Sequence, residues 1–116
     1  MKDHKDLDVW KKGIDLVAEV YRTTAQFPKE EVFGLTSQMR RAAVSIPANV
    51  AEGAARQTDK EFIQFLHIAL GSASELETEL LIAEKLGFCN ASSLSEQIIS
   101  VKMMLNGIIR HYRSKS

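Results

Sequence analysis

Residues 58–87, TDKEFIQFLHIALGSASELETELLIAEKLG, decide the architecture. Thr58 followed three positions later by Glu61 is a capping-box pattern, in which two side chains satisfy amides that the first helical turn leaves free. Behind it Phe62, Phe65, Leu66, Ala69, Ala73, Leu76, Leu80 and Ala83 recur at the spacing of one helix face. Ile63, Leu70 and Leu81 lie about 90° to one side, and Ile68, Ile82 and Leu86 to the other. A helix apolar over most of its circumference belongs at the centre of a fold or at an interface. Gly87 supplies the stop, because a left-handed residue there closes the last turn.

Three more helical segments flank it. Upstream, residues 7–26 carry one apolar stripe, Leu7, Trp10, Ile14, Val17, Ala18, Tyr21 and Ala25, and a second, Val9, Gly13, Leu16 and Val20. One stripe would pack on the domain, and the pair implies cover from another side as well. Phe27-Pro28 ends the segment, since a residue before proline is pushed out of the helical region. Residues 35–56 place Leu35, Met39, Ala42, Ala43, Ile46 and Val50 inward. Pro47 interrupts that segment and predicts a kink rather than a break, because the apolar period continues through it. With the quoted segment set at 59–86, the last helix spans 93–112. Ser93 and Glu96 form a second capping-box pattern, and Leu94, Ile98, Val101, Leu105, Ile108 and Tyr112 form a heptad seam. Beyond Tyr112 the tail is expected to fray.

Four helices with short connections predict an all-α, antiparallel, up-down-up-down bundle occupying residues 1–116 as one domain. By surface scaling a 13.0 kDa chain folds to about 6,300 Å², enough burial for one core without a disulfide or metal. Hydrophobic residues make up 45% and charged ones 26%, which excludes disordered and low-complexity classes. Lys plus Arg and Asp plus Glu are 15 each, so no whole-molecule cationic field exists to gather nucleic acid, although local patches stay open. Cys89 stands alone and marks no oxidising compartment. The mixed-charge start is not a leader, and the apolar run Phe62 to Leu70 is far short of the roughly 20 residues that cross a bilayer. A cytoplasmic, soluble protein without membrane contact is the expectation.

The sequence offers little to catalysis. It has no glycine-rich phosphate loop, dinucleotide fingerprint or nucleophile elbow. Glu75, Glu77, Glu79 and Glu84 lack the Glu-x-x-His partners of a di-iron bundle and read as salt-bridging or solvated side chains, Glu77 and Glu84 facing cations of another helix or subunit. His4, His67 and His111 are scattered, so no metal or cofactor is expected, and Cys89 reads as an incidental thiol. The unusual stretch is residues 40–53, RRAAVSIPANVAEG. Arg41, Ser45, Ala48, Glu52 and Arg56 fall within about 80° on the face away from Met39 and Ile46. That face is either solvated, with a Glu52–Arg56 pair, or a polar contact surface for a subunit or a phosphate backbone. Arg40, Arg41, Arg56 and Lys60 are the candidate contacts to nucleic acid or a partner, with Ser45, Asn49 and Glu52 shaping the polar face beside Pro47. At the C-terminus Lys102, Arg110, His111, Arg113 and Lys115 follow the last acid, Glu96; they either complement the helix dipole or form a basic tail.

Asp8-Val9-Trp10, Phe27-Pro28, Gly34-Leu35-Thr36, residues 38–43 (QMRRAA), residues 45–53 (SIPANVAEG) and residues 65–72 (FLHIALGS) together match one pattern. Over residues 7–112 the chain resembles the bacterial four-helix-bundle proteins encoded in intervening sequences of 23S ribosomal RNA genes, a family similar to the accessory protein of diversity-generating retroelements. The resemblance implies a ring-like homopentamer and no enzymatic activity. In the retroelement relatives the pentamer is basic and binds nucleic acid and a reverse transcriptase. RNA, DNA or a nucleic-acid-processing protein are therefore the implied partners. Val50 stands where isoleucine is usual, and the zero net charge sets this chain apart from the basic ring.

Overall fold

The computed structural model describes residues 3–115, in which four helices follow one another: α1 (Asp8–Thr24), α2 (Leu35–Ala54), α3 (Asp59–Lys85) and α4 (Ser92–Lys115). Short 3₁₀ turns at His4–Asp6 and Lys29–Glu31 precede α1 and α2. Packing runs α1 on α2, α2 on α3, α3 on α4 and α4 back on α1, with the α2–α3 contact the most extensive. This closes a bundle measuring 46 × 21 × 19 Å.

The core follows the helical periods, with one reversal. In α2 and α3 the inward residues are largely those expected: Met39, Ala43, Ile46 and Val50 meet Phe62, Leu66, Ala69, Ala73, Leu76 and Leu80, all essentially without solvent contact, whereas Phe65 of the expected α3 stripe turns to the edge and is only half-buried. In α1 the buried line is Val9, Gly13, Leu16 and Val20, continued by Thr24, while Ile14 and Tyr21 of the longer stripe stay 44% and 43% exposed. α4 buries Leu94, Ile98, Val101 and Leu105 as the seam requires, then Ile109 rather than Ile108, the drift a straight helix makes against a strict heptad.

Several local devices set the helix ends. Thr58 Oγ1 accepts from the Glu61 amide at 3.1 Å and donates to Glu61 Oε1 at 3.0 Å, so the first capping pattern forms. The second does not. Asn90 Oδ1 accepts from the Ser92 amide at 2.9 Å and Glu84 Oε2 from the Ala91 amide at 3.0 Å, so α4 starts at Ser92, one residue before the expected start, and Ser93 lies inside it. Gly87 takes φ 79°, and the Gly87 and Phe88 amides donate back to Glu84 and Ala83 carbonyls, a complete Schellman end to α3. α4 does not fray at Tyr112 but runs to Lys115, whose ammonium lies 4.9 Å from the Tyr112 ring centroid. α2 passes unbroken through Pro47, whose ring is buried over Gly13 of α1. Gly53 lets α2 close on α3, because a Cβ there would stand 2.7 Å from Phe65 Cβ.

Candidate functional site

The polar residues of α2 divide between the two flanks and the outer face of the helix. Arg40 is turned to α1: its Nε donates to Thr24 Oγ1 at 2.8 Å and its guanidinium lies 4.4 Å from the Tyr21 ring centroid. Thr24 Oγ1 in turn donates to the Val20 carbonyl at 2.7 Å, so Arg40 is held in a tie between helices. Arg41 points outward and donates to Ser37 Oγ at 2.7 Å.

Ser45 and Asn49 lie on the flank toward α3. Asn49 Nδ2 donates to the Ser45 carbonyl and hydroxyl at 2.8 and 2.9 Å, and the Ser45 hydroxyl shares a 2.8 Å hydrogen bond with Ser72 of α3. This pair joins two helices, a use that neither reading of the polar face included. Glu52 meets Arg56 at 3.5 Å as the i,i+4 spacing anticipates, and Arg56 also lies 4.8 Å from the Phe65 ring centroid. Lys60 is exposed in the first turn of α3.

The four cations therefore do not form one cluster. Arg41 and Arg56 are about 20 Å apart along α2 at the ordinary helical rise. Arg56 and Lys60 sit instead at the end of the bundle where α2 passes into α3. The C-terminus of α4 reaches that same end: Tyr112 packs edge-on against Phe62 at 5.0 Å, and Arg113 meets His67 Nε2 at 3.1 Å. Arg56, Lys60, Arg113 and Lys115 thus share one end, interspersed with Asp59 and Glu61.

The acids of α3 differ from one another more than their spacing suggests. Glu77 pairs with Lys102 of α4 at 3.0 Å, a cation from another helix as anticipated. Glu84 caps α4 instead of meeting a cation. Glu79 is neither solvated nor salt-bridged: it is 6% exposed and its Oε1 has no hydrogen-bond partner among the described residues. Burial and the adjacent Glu75 carboxyl push its pKa up to about 7, against the opposing pull of Arg41. The signal was present in the sequence, since Glu79 stands three residues after Leu76 and four before Ala83, within the core period of α3. Among the described residues no three His, Cys, Asp or Glu side chains converge to hold a metal ion. Cys89 is half-buried, and its thiol is raised by burial and then by Glu84, the reverse of an activated nucleophile.

Large apolar side chains remain on the surface of every helix. Ile14 and Tyr21 on α1, Val44 on α2, Ile68, Leu81 and Ile82 on α3, and Ile99 and Met103 on α4 are each at least 43% exposed. No helix among the described residues is long and apolar enough to cross a membrane.

No curated protein matches the chain. A crystal structure of a protein of unknown function from the S23 ribosomal protein family of Bacteroides thetaiotaomicron superposes with a TM-score of 0.78 at 25% identity, covering 88% of this chain and 95% of that one. Residues 5–107 match the family model of the 23S rRNA-intervening sequence protein. With four helices in the same arrangement and the motif of α2 in place, the chain belongs to the 23S rRNA-intervening sequence protein family.

Proposed function

We propose that this chain is a non-enzymatic bundle that assembles with copies of itself, as a ring of five, and there binds RNA or DNA, or a protein that handles them. The observation that carries the reading is the exposed apolar surface: Ile14, Tyr21, Val44, Ile68, Ile82 and Met103 stand in water in the single chain. Side chains of that size on successive turns mark surfaces that another molecule covers. The ring and its size come from the family resemblance. Nucleic-acid contact is supported by Arg56, Lys60, Arg113 and Lys115 at one end of the bundle, an end that an assembly would present several times over. Arg41 adds an outward cation on α2, whereas Arg40 serves the α1–α2 tie.

A double reversal, Arg56→Glu with Lys60→Glu, tests the phosphate-binding part. It should weaken binding to a structured RNA across sequences. The dependence of affinity on salt should also flatten, by about one unit of slope for each phosphate no longer neutralised. Unchanged affinity and slope would remove this end of the bundle from the reading. The equality of 15 cationic and 15 anionic residues favours a second reading, a scaffold that contacts protein alone. In that case RNA binding is absent at every salt concentration while assembly persists.

A further inference from the structure

The buried acid of α3 stands on a line of its own. Ile68, Glu75, Ile82 and Leu86 recur at steps of seven, seven and four, so they share one outward line, and all are exposed, Ile68 by 50%, Ile82 by 47% and Leu86 by 57%. Glu79 lies at the inner edge of that line, toward α2, with its Oε1 unpartnered and the Glu75 carboxyl beside it. An unsatisfied carboxylate oxygen at this depth carries a desolvation cost that a cation delivered from outside would offset. None of the described residues places one against that oxygen. Arg41 acts on it electrostatically, but its guanidinium is exposed and hydrogen-bonded to Ser37.

A complementary line runs along α1. Lys11, Ile14, Ala18, Tyr21, Arg22 and Ala25 are all exposed and recur at helical spacing. Apolar residues dominate both lines. The α3 line carries acids, while the α1 line carries Lys11 and Arg22, the latter held by Glu19 at 2.8 Å with Asp15 nearby, so a partner's carboxylates would have to draw Arg22 from Glu19 or engage Lys11. Resting on the self-assembly reading above, we propose that the α3 line docks the α1 line of a second copy of this chain, whose Lys11 or Arg22 enters beside Glu75 and Glu79. Because the two lines are different surfaces, the contact is heterologous. It repeats from copy to copy and, where the ring of five closes, covers both lines in every subunit, whereas a partner of another kind on the α3 line would leave the α1 line bare.

The charged groups known to face Glu79 are Glu75 from its own helix and Arg41 from α2, with the second copy's cation as the addition. A cation favours the ionised carboxylate, so docking releases a proton and self-association strengthens as pH rises through 7.

Sedimentation velocity on the intact chain tests the pairing through exposed positions. Glu75→Lys, Lys11→Glu and Arg22→Glu are made singly, and Glu75→Lys is combined with each of the other two. Circular dichroism reads whether each variant keeps native helicity. Glu75→Lys should weaken self-association about tenfold or more, one of the two α1 reversals should do the same, and the combination of those two should restore native association. Glu79→Gln, which keeps the shape, should weaken association and remove its rise with pH. If the native chain assembles and every reversal assembles equally well, the pairing is wrong while self-assembly stands. Weakening without restoration in either combination also overturns it. A native chain that stays monomeric at all concentrations overturns both.

Discussion

Glu79 shows what a single residue adds to this molecule. A carboxyl at the edge of an alanine- and leucine-rich core, next to a second carboxyl, keeps its proton to about pH 7 where an exposed glutamate would lose it near 4.5. The folded chain holds a proton that the unfolded chain has released, so stability contributed by protonated Glu79 is full below pH 4.5 and declines as pH rises through 7. In the unassembled chain, diluted below the range of self-association, replacing it with the neutral isostere, Glu79→Gln, should raise the unfolding free energy at pH 8 by about 2 kcal/mol and flatten its decline between pH 5 and 8. Urea denaturation at a series of pH values measures both. A destabilised Glu79→Gln at pH 8 would mean that the carboxylate has a partner in the folded chain. That a position at core spacing held an acid was legible in the sequence. That its Oε1 goes without a hydrogen-bond partner was not, because that depends on which side chains α2 brings opposite it.

At the scale of the helices, period and punctuation went far. The four elements, the Thr58 cap, the Gly87 stop and the inner faces of α2 and α3 all follow from residue type and spacing alone. Two matters did not. α1 carries two apolar lines, and periodicity draws both without saying which one meets the neighbouring helices; the shorter line is inward because Gly13 admits Pro47 there. The polar stretch of α2 was equally mute about its partner. Ser45 and Ser72 are 27 residues apart, and only the register of α2 against α3 brings their hydroxyls together. That register rests on the approach at Gly53. On an open helix Gly→Ala stabilises by about 1 kcal/mol. Here the added Cβ would stand 2.7 Å from Phe65 Cβ and 3.0 Å from Phe62 Cδ1. Gly53→Ala should therefore destabilise the chain by about 1–3 kcal/mol, the ordinary cost of overpacking, as read by thermal or chemical unfolding. A stabilised Gly53→Ala would show that α2 and α3 stand further apart than this approach implies.

The whole molecule is a rod whose core is complete and whose outside is not. Its accessible surface, 6785 Å², exceeds the roughly 6,300 Å² that scaling gives for its mass, as befits an elongated bundle with apolar side chains left in water. Cations gather at one end without a matching excess over the whole chain. In the proposed assembly, apolar lines would join the copies, and repetition would multiply cations too few to act singly. Sedimentation velocity of the protein with a labelled structured RNA, both species followed at several salt concentrations, tests this most directly. A ring that binds phosphate sediments as a particle several times 13.0 kDa that carries RNA at low salt and sheds it steeply as salt rises, while the protein particle persists. A chain that sediments as a monomer, with RNA moving independently of it at every salt concentration, would contradict it.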